Sequence, residues 1–322
     1  MGVLERYQAE VVAALGAVVP PHGILRPLVG YPLGAVGADG GPGPGIGGKL
    51  IRPALVLFAC EALGGRPERA LPLAAAVELV HTFSLVHDDI VDGDRLRRGR
   101  PAAWVAFGQD QAIHAGDGLL ALAFQTAARA ALPGEGTARA VDALASATLA
   151  MVEGQARDLD LEGRPAGTDA YLEMTRGKTG ALLGCALELG ALAAERGDLA
   201  PAHRTVGELL GVAFQIRDDW LGVWGEADAV GKAVGGDIAR GKRSYPIAWA
   251  LERDPTLRDS LRNAPLDEAQ ARLVALGARE ATERQADELL VRARAQARTL
   301  PWPAWAHDGF AELCAELAAR VR

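Results

Sequence analysis

The chain has 322 residues, 49% apolar, 5% aromatic and 23% charged, with a formal net charge of −7. That length admits one large or two ordinary domains, and the acidic balance argues against a nucleic-acid partner or an anionic membrane surface. Ala, Leu and Arg predominate, which suits an all-helical core. The three cysteines, Cys60, Cys185 and Cys314, show neither zinc nor disulfide spacing and read as small core residues of a reduced cytoplasm.

From the N-terminus, Glu5, Arg6 and Glu10 precede any apolar run, so no signal peptide is expected. Met1-Gly2 is followed by Arg6 where myristoylation requires Ser or Thr. No uninterrupted apolar stretch approaches a membrane span, and the expectation is a soluble protein. Residues 30–48, rich in Gly and Pro, read as a flexible arm between a first helix and Gly47-Gly48-Lys49. Helical signals follow at about 51–63, 71–92, 111–131, 137–159, 168–194 and 202–224, with Pro72 near the start of the second. Pro133-Gly134 and Pro165-Ala166-Gly167 punctuate them, and Thr168 or Asp169 suits an N-cap. No alternating strand pattern is present. The Gly-rich stretch 225–243 reads as a mobile flap. After Tyr245-Pro246 come shorter helices near 256–264, 266–277, 280–298 and 303–321. No composition shift marks a boundary, so one domain spanning 1–322 is expected.

The chemistry concentrates in His87-Asp88-Asp89-Ile90-Val91-Asp92-Gly93-Asp94, followed by Arg95-Leu96-Arg97-Arg98-Gly99. On a helix Asp88 and Asp92 leave the same face one turn apart. Like charges so placed raise each other's pKa, and a cation between them relieves the repulsion. Oxygen-only ligands point to Mg²⁺ rather than zinc, and the arginines offer planar forks for phosphate. An EF-hand is excluded, because Gly99 stands where its closing Glu belongs. A second acidic pair, Gln215-Ile216-Arg217-Asp218-Asp219, closes another apolar run. Two such helices can face each other across one cavity, and Gln155, Asp158 and Gln215 are amides and a carboxylate on faces directed toward it. A lone Asp-Asp pair is usually a solvated cap; two in one chain are harder to dismiss.

The lysines sharpen this. Lys and Arg number 34 together, yet lysine occurs only as Lys49, Lys178, Lys232 and Lys242, each directly after a glycine. Surface lysines would scatter. Lysine is a compact charge on a flexible stem that can follow a migrating anion, and the neighbouring glycines let the backbone approach it. Four such sites suit two diphosphates, one of which departs.

In this combination the chain resembles a trans-isoprenyl diphosphate synthase of the polyprenyl synthetase family. The resemblance runs, in the family's order, through Gly47-Gly48-Lys49-Leu50-Ile51-Arg52-Pro53, the first Asp-rich motif with Arg97-Arg98-Gly99, and Gly116-Asp117. It continues through Gln155, Gly177-Lys178-Thr179-Gly180, the second Asp-rich motif, and Gly231-Lys232 to Gly241-Lys242. That covers about residues 47 to 246. One departure stands out: where the family usually has DDxxD, this chain has Asp218-Asp219-Trp220-Leu221-Gly222.

The resemblance implies an all-α, single-domain bundle around a deep apolar cavity, and a homodimer. It implies that Asp88, Asp92 and Asp218 hold three Mg²⁺ ions that clamp an allylic diphosphate, with Asp89 and Asp219 behind them. Arg97, Lys178 and Lys232 add positive charge as that diphosphate leaves. Lys49, Arg52, His81 and Arg98 bind isopentenyl diphosphate, and Thr179, Gln215 and Lys242 complete the substrate contacts. His87 reads as support. Phe83, five residues before Asp88 and about 7.5 Å down the axis, takes the position where short-chain members carry a bulky floor under the growing tail. Ser84 beside it is small. The implied product is farnesyl or geranylgeranyl diphosphate, about C15–C20. Two other classes stay open, a terpene cyclase and a non-catalytic partner subunit; retained Lys49, Arg52 and Arg98 argue against the first, and retained Asp88, Asp92 and Arg97 against the second.

Overall fold

The structure, a computed structural model, describes residues 2–161, 167–225, 238 and 242–319. The chain forms two compact units, one of residues 1–146 with 185–203, the other of residues 147–184 with 204–322. Both are helical, in line with the all-α expectation.

In the first unit α1 (Val3–Arg6), α2 (Gln8–Val18) and α3 (Leu25–Leu33) precede α4 (Ile51–Ala62) and α5 (Pro67–Asp92). A two-residue hairpin, β1 (Leu96–Arg97) with β2 (Arg100–Pro101), leads to α6 (Ala103–Phe107) and α7 (Gln109–Ala128). The first turns of α8 (Gly136–Leu161) complete the order, together with residues 185–193 and 200–203. Helix α5 is the central element, packed by α2, α4 and α7. Ala70, Leu73, Ala74, Ala76, Val77, Leu79 and Val80 point in all directions around it and are fully buried, as a helix apolar on every face requires. It begins at Pro67, four residues before the expected start, because Pro67 itself takes the first helical position and leaves Pro72 inside. Its length and composition would let α5 cross a membrane, although Glu78 and His81 interrupt its apolar run; 67% of its most apolar window is buried inside the protein.

The Gly/Pro-rich stretch 30–48 departs from the expected loose arm. Helix α3 runs into it as far as Leu33, because Leu28, Val29, Tyr31 and Leu33 are buried. The remainder folds back on itself through Gly43 N→Ala35 O (3.2 Å), Gly45 N→Gly34 O (3.1 Å) and a Val36–Pro42 bridge.

In the second unit the rest of α8 is followed by α9 (Thr168–Thr175), a π-helical turn (Arg176–Gly180) and the first turn of α10 (Ala181–Ala193), whose remaining residues belong to the first unit. The helix expected over 168–194 is present as one continuous run over 168–193, with the π-helical turn in its middle. Then come α11 (Ala200–Trp224), α12 (Tyr245–Arg253), α13 (Leu257–Asn263), α14 (Leu266–Ala275), α15 (Ala278–Ala297) and α16 (Ala304–Ala319). Helix α12 was not anticipated: its Tyr245-Pro246 start reads as a stop until Pro246 is placed in the first turn, where a missing N–H costs nothing. Val223, Ile247, Ala250, Leu261, Leu273 and Ala278 form the core beneath it. The three cysteines are buried thiols outside any disulfide.

Candidate active site

In the first unit the last turns of α5 carry Asp88, Asp89 and Asp92. Successive residues on a helix point about 100° apart, so the doublet divides: Asp88 and Asp92 stay partly open while Asp89 is 3% exposed. Asp89 accepts from Arg97 Nε (3.0 and 3.3 Å to its two oxygens) and is bridged by Arg97 Nη2. Burial alone would lower the Arg97 pKa, but the bonds and charge of Asp89, with Asp94 and Asp88 nearby, outweigh it and hold the guanidinium firmly charged.

The hairpin aims its two arginines apart. Arg98 and Gly99 form its two-residue turn with φ of +52° and +74°, the pair of positive values that a tight turn matched to strand twist requires. Gly99 adopts this without cost; Arg98 does so under strain of the kind that collects at functional sites. Arg97 thus folds back onto Asp89, while Arg98 Nη1 donates to Gly47 O at 2.8 Å and its guanidinium lies over Gly48. Lys49 is exposed beside it, and Leu50, also at positive φ, opens α4. Lys49, Arg52 and Arg98, expected to share an anion, are therefore gathered in one unit.

Beneath them lies a group that sequence reasoning passed over. Glu78 is 4% exposed in α5, and burial pushes its carboxyl up to about 7 against the opposing charges of Arg52 and Arg98. The signal was available: it is the one acidic residue in the apolar run 71–86. Half-buried His81 is held neutral, first by burial and then by Arg52, Arg98 and Arg97. Phe83 is 8% exposed, and Ser84 donates its hydroxyl to His81 O at 2.8 Å.

In the second unit the corresponding doublet on α11 divides the same way, with Asp218 exposed and Asp219 buried. Asp219 accepts from Tyr171 Oη (2.5 Å), Gln215 Nε2 (3.0 Å) and the Tyr245 N–H (2.8 Å). Thr179 Oγ1 donates to Gln215 Oε1 at 2.9 Å and ties the Gly-Lys-Thr-Gly motif into the same network. Burial and the Asp219 charge hold the Tyr171 hydroxyl far above its ordinary pKa, so it remains a donor. Lys178, on the π-turn, is paired with Asp158 on α8 at 2.5 Å. Gly154 makes this possible: a Cβ there would stand 2.7 Å from the Lys178 Cα, so α8 and the π-turn meet backbone to backbone. Turns of this kind recur at functional sites.

Behind α11, three residues spaced by four on α15 hold it in place. Arg279 stacks 5.1 Å over the Trp220 ring, Glu283 accepts from Trp220 Nε1 at 3.0 Å, and Asp287 pairs with buried Arg217. Lys242 is half-buried three residues before Tyr245, whereas Lys232 lies outside the described residues. Tyr171, Glu283 and Asp287 were not singled out from sequence, since nothing local marks a tyrosine or a solvated-face carboxylate as the partner of a distant helix.

The donor chemistry fits a hard divalent cation. Asp88, Asp92 and Asp218 offer only oxygen, and among the described residues no three His, Cys, Asp or Glu side chains gather into a cage. That is how Mg²⁺ is commonly held, by one or two carboxylates together with substrate phosphate and water.

Residues 44–275 match the polyprenyl synthetase family. The chain is 42% identical over 284 residues to a geranylgeranyl diphosphate synthase of Mycobacterium tuberculosis, covering 87% of this chain and 80% of that one. It is also 42% identical over 239 residues to a (2E,6E)-farnesyl diphosphate synthase of the same species, covering 72% of this chain but only 64% of that relative's length. A polyprenyl synthetase structure from Streptomyces coelicolor A3(2) superposes with a TM-score of 0.90 at 35% identity over 98% of each chain. A geranylgeranyl pyrophosphate synthetase from Pyrococcus horikoshii gives 0.87 at 32%, again over 98% of each. The chain belongs to the polyprenyl synthetase family.

Proposed function

We propose that the chain is a Mg²⁺-dependent trans-prenyltransferase that joins isopentenyl diphosphate to an allylic diphosphate and releases a prenyl diphosphate of about C15–C20. The observation that carries this reading is the division of both acidic doublets. Each leaves an outward carboxylate, Asp88 (with Asp92) or Asp218, for metal, and each commits its inner neighbour to the scaffold. The farnesyl and geranylgeranyl synthase names among the relatives support the short-chain assignment.

Asp88, Asp92 and Asp218 would hold the metal, three ions in the family's pattern, which when bound neutralises diphosphate charge and stabilises the leaving group. Arg97, Lys178 and Lys232 would add fixed positive charge where the allylic diphosphate departs. Arg97 is suited to this because Asp89 orients it while 26% of its side chain remains exposed. Lys49, Arg52 and Arg98 would hold the second diphosphate, with neutral His81 donating one further hydrogen bond. Thr179, Gln215 and Lys242 would complete the substrate contacts, and Phe83 with Ser84 would form the floor that stops the chain. A cytoplasmic homodimer and a single working domain over 1–322 belong to the same proposal.

The test is incubation with Mg²⁺, isopentenyl diphosphate and each allylic primer, followed by chromatography of the dephosphorylated products. C15 or C20 alcohols are expected. Cyclic hydrocarbons from a prenyl diphosphate alone would select the cyclase. Absence of any product unless a second synthase is added would select the partner subunit.

A further inference from the structure

The floor residue has a neighbour that determines where its ring can go. Phe83 and His87 are one turn apart on α5, and their rings meet edge to face with centroids 4.9 Å apart at 70°. The imidazole meets α7 at Gly116 with Nε2 foremost, where a Cβ would overlap Nε2 and Cδ2 and stand 3.0 Å from Cε1. Its Nε2 is also 3.3 Å from the Ile113 carbonyl oxygen. The ring is therefore clamped by the Phe83 ring, the Gly116 backbone and a carbonyl, all within the first unit. Ser84 gives no such backing, because its hydroxyl is spent on its own helix at His81 O.

We propose that His87 is a positioning residue for product length: clamped on Gly116, it holds the Phe83 ring in the orientation that ends chain growth. This rests on Phe83 being the floor. An aromatic ring on a helix has few staggered orientations, and a packed neighbour selects among them. With the imidazole removed, the space above Gly116 admits the Phe83 ring, and the floor recedes without any change at position 83.

The experiment is a double-mutant cycle read as product-length distribution at matched conversion, a ratio that does not depend on the amount of active enzyme. His87→Ala should raise the longer-product fraction several-fold over wild type. Phe83→Ala should lengthen products on its own, and adding His87→Ala to it should change the distribution no further, because the group His87 positions is gone. If His87→Ala lowers the rate but leaves the wild-type distribution, its role is only structural and the proposal fails. If it lengthens products equally with and without Phe83, it acts independently and the proposal also fails. If Phe83→Ala itself changes nothing, it is the floor reading that falls. Should His87→Ala not fold, Gly116→Ala substitutes for it: the added methyl displaces the imidazole onto Phe83 and must alter the distribution, but only while Phe83 is present.

Discussion

Asp88-Asp89 and Asp218-Asp219 are the same dipeptide near the ends of two helices, and in both the second carboxylate turns inward. What differs is how the buried charge is met. Asp89 is matched by a full positive charge, the Arg97 fork. Asp219 accepts from three neutral donors, a tyrosine hydroxyl, an amide and a backbone N–H. The last of these opens α12, whose helix dipole places partial positive charge at that end. The first motif is thus wired to the arginine hairpin, and the second to the start of the helix that follows Lys242. In each, one carboxylate faces outward while its neighbour fixes a cationic segment of the chain.

That division is most severely tested at the outward carboxylates. Asp88→Ala or Asp92→Ala should lower turnover by orders of magnitude while leaving thermal stability near wild type, since metal clamping and charge neutralisation are lost together. Chelation by EDTA should abolish activity in the unaltered protein. Turnover that survives either treatment would remove the metal reading.

The inward carboxylates should show the opposite signature. Asp219→Ala leaves the Tyr245 N–H buried without an acceptor and takes the Asp219 carboxylate from the Tyr171 hydroxyl, at roughly 1–3 kcal/mol each, so a drop in Tm of several degrees is expected along with lost activity. Asp219→Asn should be much milder. Its carbonyl oxygen can serve both of those donors, and Gln215 can turn over to meet the new amide, with Thr179 then accepting. A melting curve for the alanine variant that matches wild type would show that this carboxylate holds nothing together.

Why some of this could be read from the chain and some could not follows from the same contacts. Asp88, Asp92 and the four lysines announce themselves, because like charges at helical spacing and glycine-flanked cations are locally costly patterns. Helices such as α7, α8 and α15 follow from periodicity. Helix α12 escaped because its first turn is fixed by Asp219 from another helix, not by its own N-cap, which makes no side-chain bond. The π-turn at Arg176–Gly180 escaped for a similar reason: it is shaped by the close approach of Gly154. Glu78 was visible as an intruder in an apolar run, but its meaning depends on Arg52 and Arg98, which reach it only in the folded unit.

Glu78 gives a pH test of the first unit that involves no metal. Its carboxyl in the folded protein titrates near 7, above the ordinary 4.5. Between those values the folded chain keeps a proton that the unfolded chain has released, so stability falls as pH rises through the window. Below about 4.5 this penalty is absent, and above about 7 it is complete. Glu78→Gln removes the titration. Relative to wild type, its Tm should therefore gain between about pH 5 and about pH 8. A difference that stays constant over that range would mean the Arg52 and Arg98 charges already satisfy the carboxylate.

The smallest expected effect bears on the one place where the second motif departs from the family pattern. Gly222 is half-buried in α11, four residues after Asp218 and hence on the same face one turn on. Two opposing terms act on Gly222→Asp. Replacing a helical glycine gains a few tenths of a kcal/mol, while an anion in the last turn works against the helix dipole by about 0.3–1 kcal/mol. The net change in stability should be within about 0.5 kcal/mol, so any functional change can be read without a folding artefact. A second outward carboxylate on the Asp218 face should move the midpoint of the Mg²⁺ titration of activity a few-fold lower, with the rate at saturating Mg²⁺ little changed. Asp218→Ala in the same background should reverse that gain, because a lone carboxylate at position 222 lacks its partner one turn away. An unchanged titration would mean that position 222 does not share the metal-facing side of α11, and that the outward face of the second motif consists of Asp218 by itself.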